Sequence, residues 1–139
     1  MLTTIPDSHR DLIDGPILVT FTTIMPGGQP QSTIVWCNSD DEHVLVNSVM
    51  GRVKDKNIRR DPRVTLLALD PNDGYRWIEV QGVVEEIEEE GAVDHIDQLA
   101  RLYRKTPAYY GHVTPAERAQ KETRVIYKIR PTKVLAFGD

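Results

Sequence analysis

Apolar residues along this chain fall mostly in short, β-branched runs separated by polar turns, and one later stretch repeats with a helical period. Ser8 to Asp14 predicts a short helix closed by Gly15-Pro16. Ile17 to Thr23 has the composition of a strand, and Met25-Pro26-Gly27-Gly28-Gln29-Pro30 that of a turn. Gln31 to Cys37 alternates and completes a hairpin. The polar turn Asn38 to Glu42 and a third strand, His43 to Asn47, follow. Lys54 to Arg60 is helical in character and stops before Pro62, whose ring cannot continue a helix. Arg63 to Leu69 is a fourth strand, closed by the turn Asp70 to Gly74. Tyr75 to Ile87 is a fifth, long enough to need a bend, with Gly82 the place for it.

Glu88 through Tyr110 carries the clearest helical pattern, with Val93, Ile96, Leu99, Ala100 and Tyr103 on one face. Thr114-Pro115-Ala116-Glu117 reads as a capped helix start with proline at the first helical position. Arg124 to Ile129 and Lys133 to Phe137 finish as strand, broken at Arg130-Pro131-Thr132. About six strands with one main helix predict a mainly β fold, a small antiparallel barrel.

Composition narrows the function classes. At 139 residues the chain makes one domain, 1–139. Its apolar runs are too short to span a membrane, and Met1 to Arg10 lacks the basic-then-apolar order of a secretory signal. Cys37 is the single cysteine, so no internal disulfide forms, which fits a reducing cytoplasm. A net charge of −4 argues against non-specific nucleic-acid binding, which needs a basic field. A basic cluster inside such an acidic chain suits one small anion instead.

That cluster lies between the third and fourth strands. Ser48, Gly51, Arg52, Lys54 and Asn57 place a hydroxyl, a flexible backbone and two cations around one turn. A phosphate would find there an arginine fork, a mobile lysine charge and the backbone N–H groups of a helix start. The competing explanation is a solvated run of surface cations, and Arg59, Arg60 and Arg63 fit it better. Other chemistry is weaker. His43, His95 and His112 share no ligand spacing with each other or with Cys37, so no metal site is expected. No base adjoins Cys37 in sequence, and the acidic run Glu85 to Glu90 suits a solvated strand end and helix start. Tyr109-Tyr110-Gly111 suits either packing or closure over a substrate. No Ser-His-Asp arrangement can be defended, and no catalytic residue is assigned.

The stretch Gly51-Arg52-x-Lys54-x-x-Asn57-Ile58-x-x-Asp61-Pro62-Arg63-Val64 resembles the pyridoxamine-phosphate-oxidase-like split β-barrel flavoproteins. Glu79-Val80-x-Gly82-x-Val84-Glu85 and Ile129-x-Pro131-x-Lys133-Val134 support the likeness. Within that family the chain most resembles the small branch of oxidoreductases dependent on the deazaflavin coenzyme F-420. The resemblance implies a six-stranded split barrel and a homodimer with cofactors at the subunit interface. It implies that Ser32, Thr33, Ile34, Val35 and Trp36 run along the ring of the cofactor. It sets Asn47 and Ser48 beside the ribityl chain and phosphate, Arg52 and Lys54 on the phosphate, and Asn57 nearby. Arg76 and Trp77 would open a strand near the ring. The true oxidases carry cations at both ends of the second strand, where this chain has Ser32 and Cys37. They also have an Arg-Lys pair where this chain has Val53-Lys54, which argues against pyridoxamine-phosphate oxidation. The implied function is hydride transfer between the deazaflavin and a small organic substrate. FMN-dependent oxidoreduction on the same fold, a non-enzymatic flavin- or deazaflavin-binding protein and a purely structural barrel remain the alternatives.

Overall fold

The computed structural model describes residues 3–139; Met1 and Leu2, part of the segment considered above for a signal, lie outside them. The strands are β1 (Val19–Ile24), β2 (Pro30–Val35), β3 (Cys37–Ser39), β4 (Val44–Val49), β5 (Arg63–Leu69), β6 (Trp77–Glu88) and β7 (Arg124–Phe137). The α-helices are α1 (Asp11–Asp14), α2 (Val53–Arg60) and α3 (Ala92–Arg104). The strands pair antiparallel into one sheet, in the order β2-β1-β5-β6-β7-β4-β3. Its two ends, β2 and β3, are consecutive in sequence and joined by Trp36 alone, so the sheet curls until its ends face each other. This is a mainly β split barrel.

Alternation along each strand explains the curl. Val19 and Phe21 of β1, Leu66 and Ala68 of β5, Ile78 and Val80 of β6, and Val125, Tyr127 and Ile129 of β7 point inward and are buried. Phe21 and Tyr127 meet in the middle as a stacked pair, centroids 6.4 Å apart. Closing the sheet around these side chains removes them from water on every side.

The split is sealed by a side chain. Tyr103, at the end of α3, donates to the Ile17 carbonyl (2.8 Å) and accepts from the Cys37 N–H (3.1 Å). One hydroxyl thus satisfies backbone groups that no neighbouring strand reaches. Cys37 is fully buried there, and burial pushes its thiol up to about 12, so it stays an inert packing group.

The structure corrects several sequence readings. The second strand stops at Val35, because Trp36 turns its ring onto Tyr103 (centroids 5.3 Å, stacked). Cys37–Ser39 then pairs separately with β4, giving seven strands rather than six. The closing strand is not broken at Arg130-Pro131-Thr132. β7 runs straight through, since beyond Ile129 it has left β4 and has only β6 beside it. The irregularities are two register shifts in the β6–β7 ladder, between Gln81 and Gly82 and between Val84 and Glu86, and a side chain on Gly82 would stand 2.7 Å from the Arg130 carbonyl. The long helix is confined to Ala92–Arg104, and Glu88 still belongs to β6. Val93 faces solvent at 51 % exposure, and Ala92 and His95 take the inward positions alongside Ile96 and Leu99. Pro115 precedes a 3-10 turn, Ala116–Gln120, with no side-chain cap and no buried residue. Ser8 to Asp14 resolves into a 3-10 turn (Asp7–His9) and α1. No helix of the described residues is long and apolar enough to cross a membrane.

Candidate functional site

The basic turn leaves β4 at Val49, reverses at Gly51 (φ +92°, a conformation that side-chain-bearing residues avoid) and starts α2 at Val53. Asp55 holds this shape. Only 1 % exposed, it accepts from the Gly51 N–H (2.9 Å), the Arg59 Nε (2.9 Å) and the Tyr127 hydroxyl (2.7 Å). Burial alone would raise its carboxyl, but those three donors outweigh it and hold Asp55 below the usual carboxylate value. The turn is therefore pinned to the barrel core through Tyr127.

Pinned in this way, Arg52 and Lys54 face a hollow of about 140 Å³. Its opposite wall is the end of β2, Ile34 and Val35, with Trp36 from the seam. Asn47 of β4, Tyr109 and Arg124 complete it, over a floor of Ile96 and Leu99. Pairing of β4 with β7 sets Arg124 directly opposite Val49, beside the point where the basic turn departs. Cations from two distant stretches of chain are thus brought together.

Their electrostatics are unusual. Arg124 is 5 % exposed and forms no ion pair with a carboxylate of the described residues. Its Nε makes one long contact with the Ser48 carbonyl (3.5 Å), its guanidinium lies 4.9 Å from the centre of the Tyr109 ring, and a terminal nitrogen has no partner. Lys54 likewise has no ion pair among the described residues. Burial, then the charges of Arg52 and Arg124, push its ammonium below the usual lysine range. Arg52 alone is neutralised, by Glu122 at 3.2 Å, and Glu122 also accepts from the Tyr110 hydroxyl at 2.8 Å. Burying an unpaired guanidinium is costly unless an anion arrives to meet it.

Next to the cations stands an aromatic row. Trp36 stacks on Tyr103 and takes Tyr109 edge-on (6.0 Å), and Tyr109 takes Tyr110 edge-on (5.2 Å). β2 is the last strand of the sheet, so one edge of its backbone is unpaired along this wall. Asn47 donates its amide to the Ala92 carbonyl (2.8 Å) and to His95 Nδ1 (3.1 Å), leaving its own oxygen buried and unpartnered. His95 then donates from Nε2 to Asn38 Oδ1 (2.9 Å). Burial, followed by the Arg124 charge, pushes its imidazole down to about 4, so it is neutral at ordinary pH and fully engaged.

Of the residues expected at the site, Ile34, Val35, Trp36, Asn47, Arg52 and Lys54 surround this hollow, and Gly51 shapes its rim. Ser48 lies buried behind it, its hydroxyl without a partner. Ser32 sits further along β2 on the outer face, 2.8 Å from the Thr22 hydroxyl, and Thr33 turns its hydroxyl inward. Asn57 points into the core, donating to Thr23 (3.0 Å). Arg76 is clamped by Asp11 and Asp70, and Trp77 stacks on Phe137. Within one chain, neither belongs to the hollow. Sequence reading missed Arg124, Asp55 and Glu122. The only trace of Arg124 was an arginine opening an apolar run, because its role comes from a strand pairing that spans the chain.

A larger hollow of about 570 Å³ lies beside Ile5 and His43. Its two cations and its histidine are each paired with a carboxylate, Arg10 with Asp14, Arg130 and His43 with Glu85, so it offers no free buried cation like Arg124. No metal-holding cluster occurs among the described residues.

Comparison with known proteins bears on the family and the fold. The family described as pyridoxamine 5'-phosphate oxidase matches residues 5–138. A solved structure described as an F420 reductase is 30% identical with a TM-score of 0.80, covering 94% of this chain and 98% of its own. A conserved hypothetical protein from Mycobacterium tuberculosis is 25% identical with a TM-score of 0.70, covering 97% and 86%. HupZ of Group A Streptococcus shares the fold at 18% identity and a TM-score of 0.68, covering 96% and 94%.

Proposed function

Because the chain belongs to the pyridoxamine 5'-phosphate oxidase family, we propose that it is a cytoplasmic oxidoreductase that binds coenzyme F-420 and acts on a small organic substrate. The observation that carries this reading is the buried, carboxylate-free Arg124 beside Lys54, at one end of an aromatic-walled hollow. That donor set suits a ligand with a planar ring and a phosphate. Arg124, Lys54 and the free face of Arg52 hold the phosphate, and the Asn47 oxygen accepts from the polyhydroxy chain. Trp36, Tyr109 and the unpaired edge of β2 orient the ring. When bound, the deazaflavin supplies hydride-transfer chemistry. The protein's part is to fix distance and orientation and to exclude water from one ring face. His95, neutral and with both ring nitrogens engaged, stiffens the wall rather than moving a proton.

The test is a parallel titration of the purified protein with coenzyme F-420 and FMN, followed by fluorescence. Tighter binding of the deazaflavin is expected, and preference for FMN would move the chain to the FMN-dependent members of its fold. Binding of neither would end the enzyme reading. Lys54→Ala is expected to cost about 1.5–3 kcal/mol of cofactor binding through a lost charge-assisted bond, with little loss of fold stability. Unchanged affinity in that variant would remove Lys54 from the phosphate site.

The second part of the proposal is a homodimer. Registered rows on the outer sheet face run Leu67, Glu79, Leu135 and Leu69, Trp77, Phe137 across β5, β6 and β7. Leu67, Leu69, Leu135 and Phe137 are all exposed. Ile34, 61 % exposed, belongs both to this face and to the rim of the hollow. A second copy seated there covers the apolar rows and the open side of the site together. Light scattering should give twice the 15.8 kDa chain mass, and a monomer would refute it.

A further inference from the structure

We propose that Glu122 sets which phosphate group the hollow prefers, by fixing the charge that the ligand meets. The inference rests on the reading of the hollow as a phosphate site. Three cations line or border it, and Glu122 is the carboxylate paired with one of them. Its Oε2 accepts from Arg52 at 3.2 Å and its Oε1 from the Tyr110 hydroxyl at 2.8 Å. The Tyr110 bond matters because it holds the half-buried carboxylate in place instead of letting it swing into water. Tyr110 in turn packs edge-on against Tyr109, whose ring carries Arg124. Glu122 is thus built into the wall that carries the cations.

A fixed negative charge at this position repels every anionic ligand, and the repulsion grows in proportion to the ligand's charge. A phosphate monoester, close to doubly charged at pH 8, is penalised about twice as much in free energy as a singly charged diester. Glu122 also occupies part of the Arg52 fork that a monoester's third free oxygen would otherwise use. Both effects tilt the hollow toward diesters. A salt bridge that only braced the turn would lower or raise all ligands alike.

Three flavins with one ring separate these cases: FMN as the monoester, riboflavin 4',5'-cyclic phosphate as the diester, and riboflavin without phosphate. Each is titrated by fluorescence at pH 8 and low salt into the wild-type protein and Glu122→Gln. The glutamine keeps an acceptor for Tyr110 and removes the charge. Glu122→Gln should tighten the diester about fivefold and the monoester by about the square of that, leaving riboflavin unchanged, as the Coulomb dependence on ligand charge requires. An unmoved ratio of monoester to diester affinity overturns the role of Glu122 while leaving the phosphate site standing. Wild-type protein that binds all three flavins equally overturns the phosphate site itself, and this inference with it. If Glu122→Gln does not fold, Tyr110→Phe frees the carboxylate from its anchor and should shift the ratio the same way by a smaller factor. A Tyr110→Phe ratio equal to wild type then refutes the proposal.

Discussion

Arg124→Met is expected to make the ligand-free protein more heat-stable while weakening FMN or deazaflavin binding about 100-fold, near 3 kcal/mol. The two effects share one cause. Arg124 is buried without a carboxylate, held by a long contact to Ser48 and the face of Tyr109. A guanidinium in that position gives up much of its hydration and recovers only part of it. Methionine fills a similar volume with no charge to solvate, and its loss of the ring contact costs about 1 kcal/mol. Removing the unpaired charge should outweigh that by about 1–2 kcal/mol. Melting curves and ligand titrations of the same two samples check both halves. A lower melting point with binding intact would make Arg124 a structural residue and remove the main support for the site.

Asp55→Ala should have the largest effect on the fold, about 3–5 kcal/mol of lost stability. The substitution strips three donors of their acceptor at once, and one of them, the Tyr127 hydroxyl, belongs to a fully buried side chain. The same group makes stability depend on acid. An aspartate ordinarily titrates near 3.8, and Asp55 in the folded chain titrates lower. The unfolded chain therefore takes up its proton first as pH falls. The contribution of Asp55 is fully present above the unfolded value and is lost as pH drops through the folded one. Urea unfolding at neutral pH and near pH 3 should show wild type losing stability and Asp55→Asn losing less of its own. Equal losses would mean that Asp55 is not the acid-sensitive bond of the turn.

Most of the strands were legible because their inward residues alternate, as in Val19-Thr20-Phe21 and Val64-Thr65-Leu66. The basic turn was legible because its residues are neighbours in sequence. What escaped was set by contacts between distant segments. Trp36 interrupts an apparently continuous strand because of a tyrosine on α3, and nothing near Trp36 signals it. Pro131 looked like a break because the sequence does not show that β4 has ended by then. Ile96, Leu99 and Ala100 kept their inward places, while Val93 lost its own to Ala92 and His95, because β4 lies against the start of the helix, where Asn47 bonds both Ala92 and His95. The site followed the same rule. Its local half, Arg52 and Lys54, was readable, whereas Arg124 becomes a site residue only once β7 lies against β4.

β7 follows every other strand of the sheet in sequence, yet it lies in the middle, between β6 and β4. Without β7 the other strands form two ladders, β2-β1-β5-β6 and β4-β3, which Tyr103 bridges at the seam but which share no strand-to-strand pairing. β7 links the ladders, buries Tyr127 against Asp55 and brings Arg124 to the hollow. Without β7 the chain has neither a finished core nor Arg124 in the hollow, so core and proposed anion site are completed together.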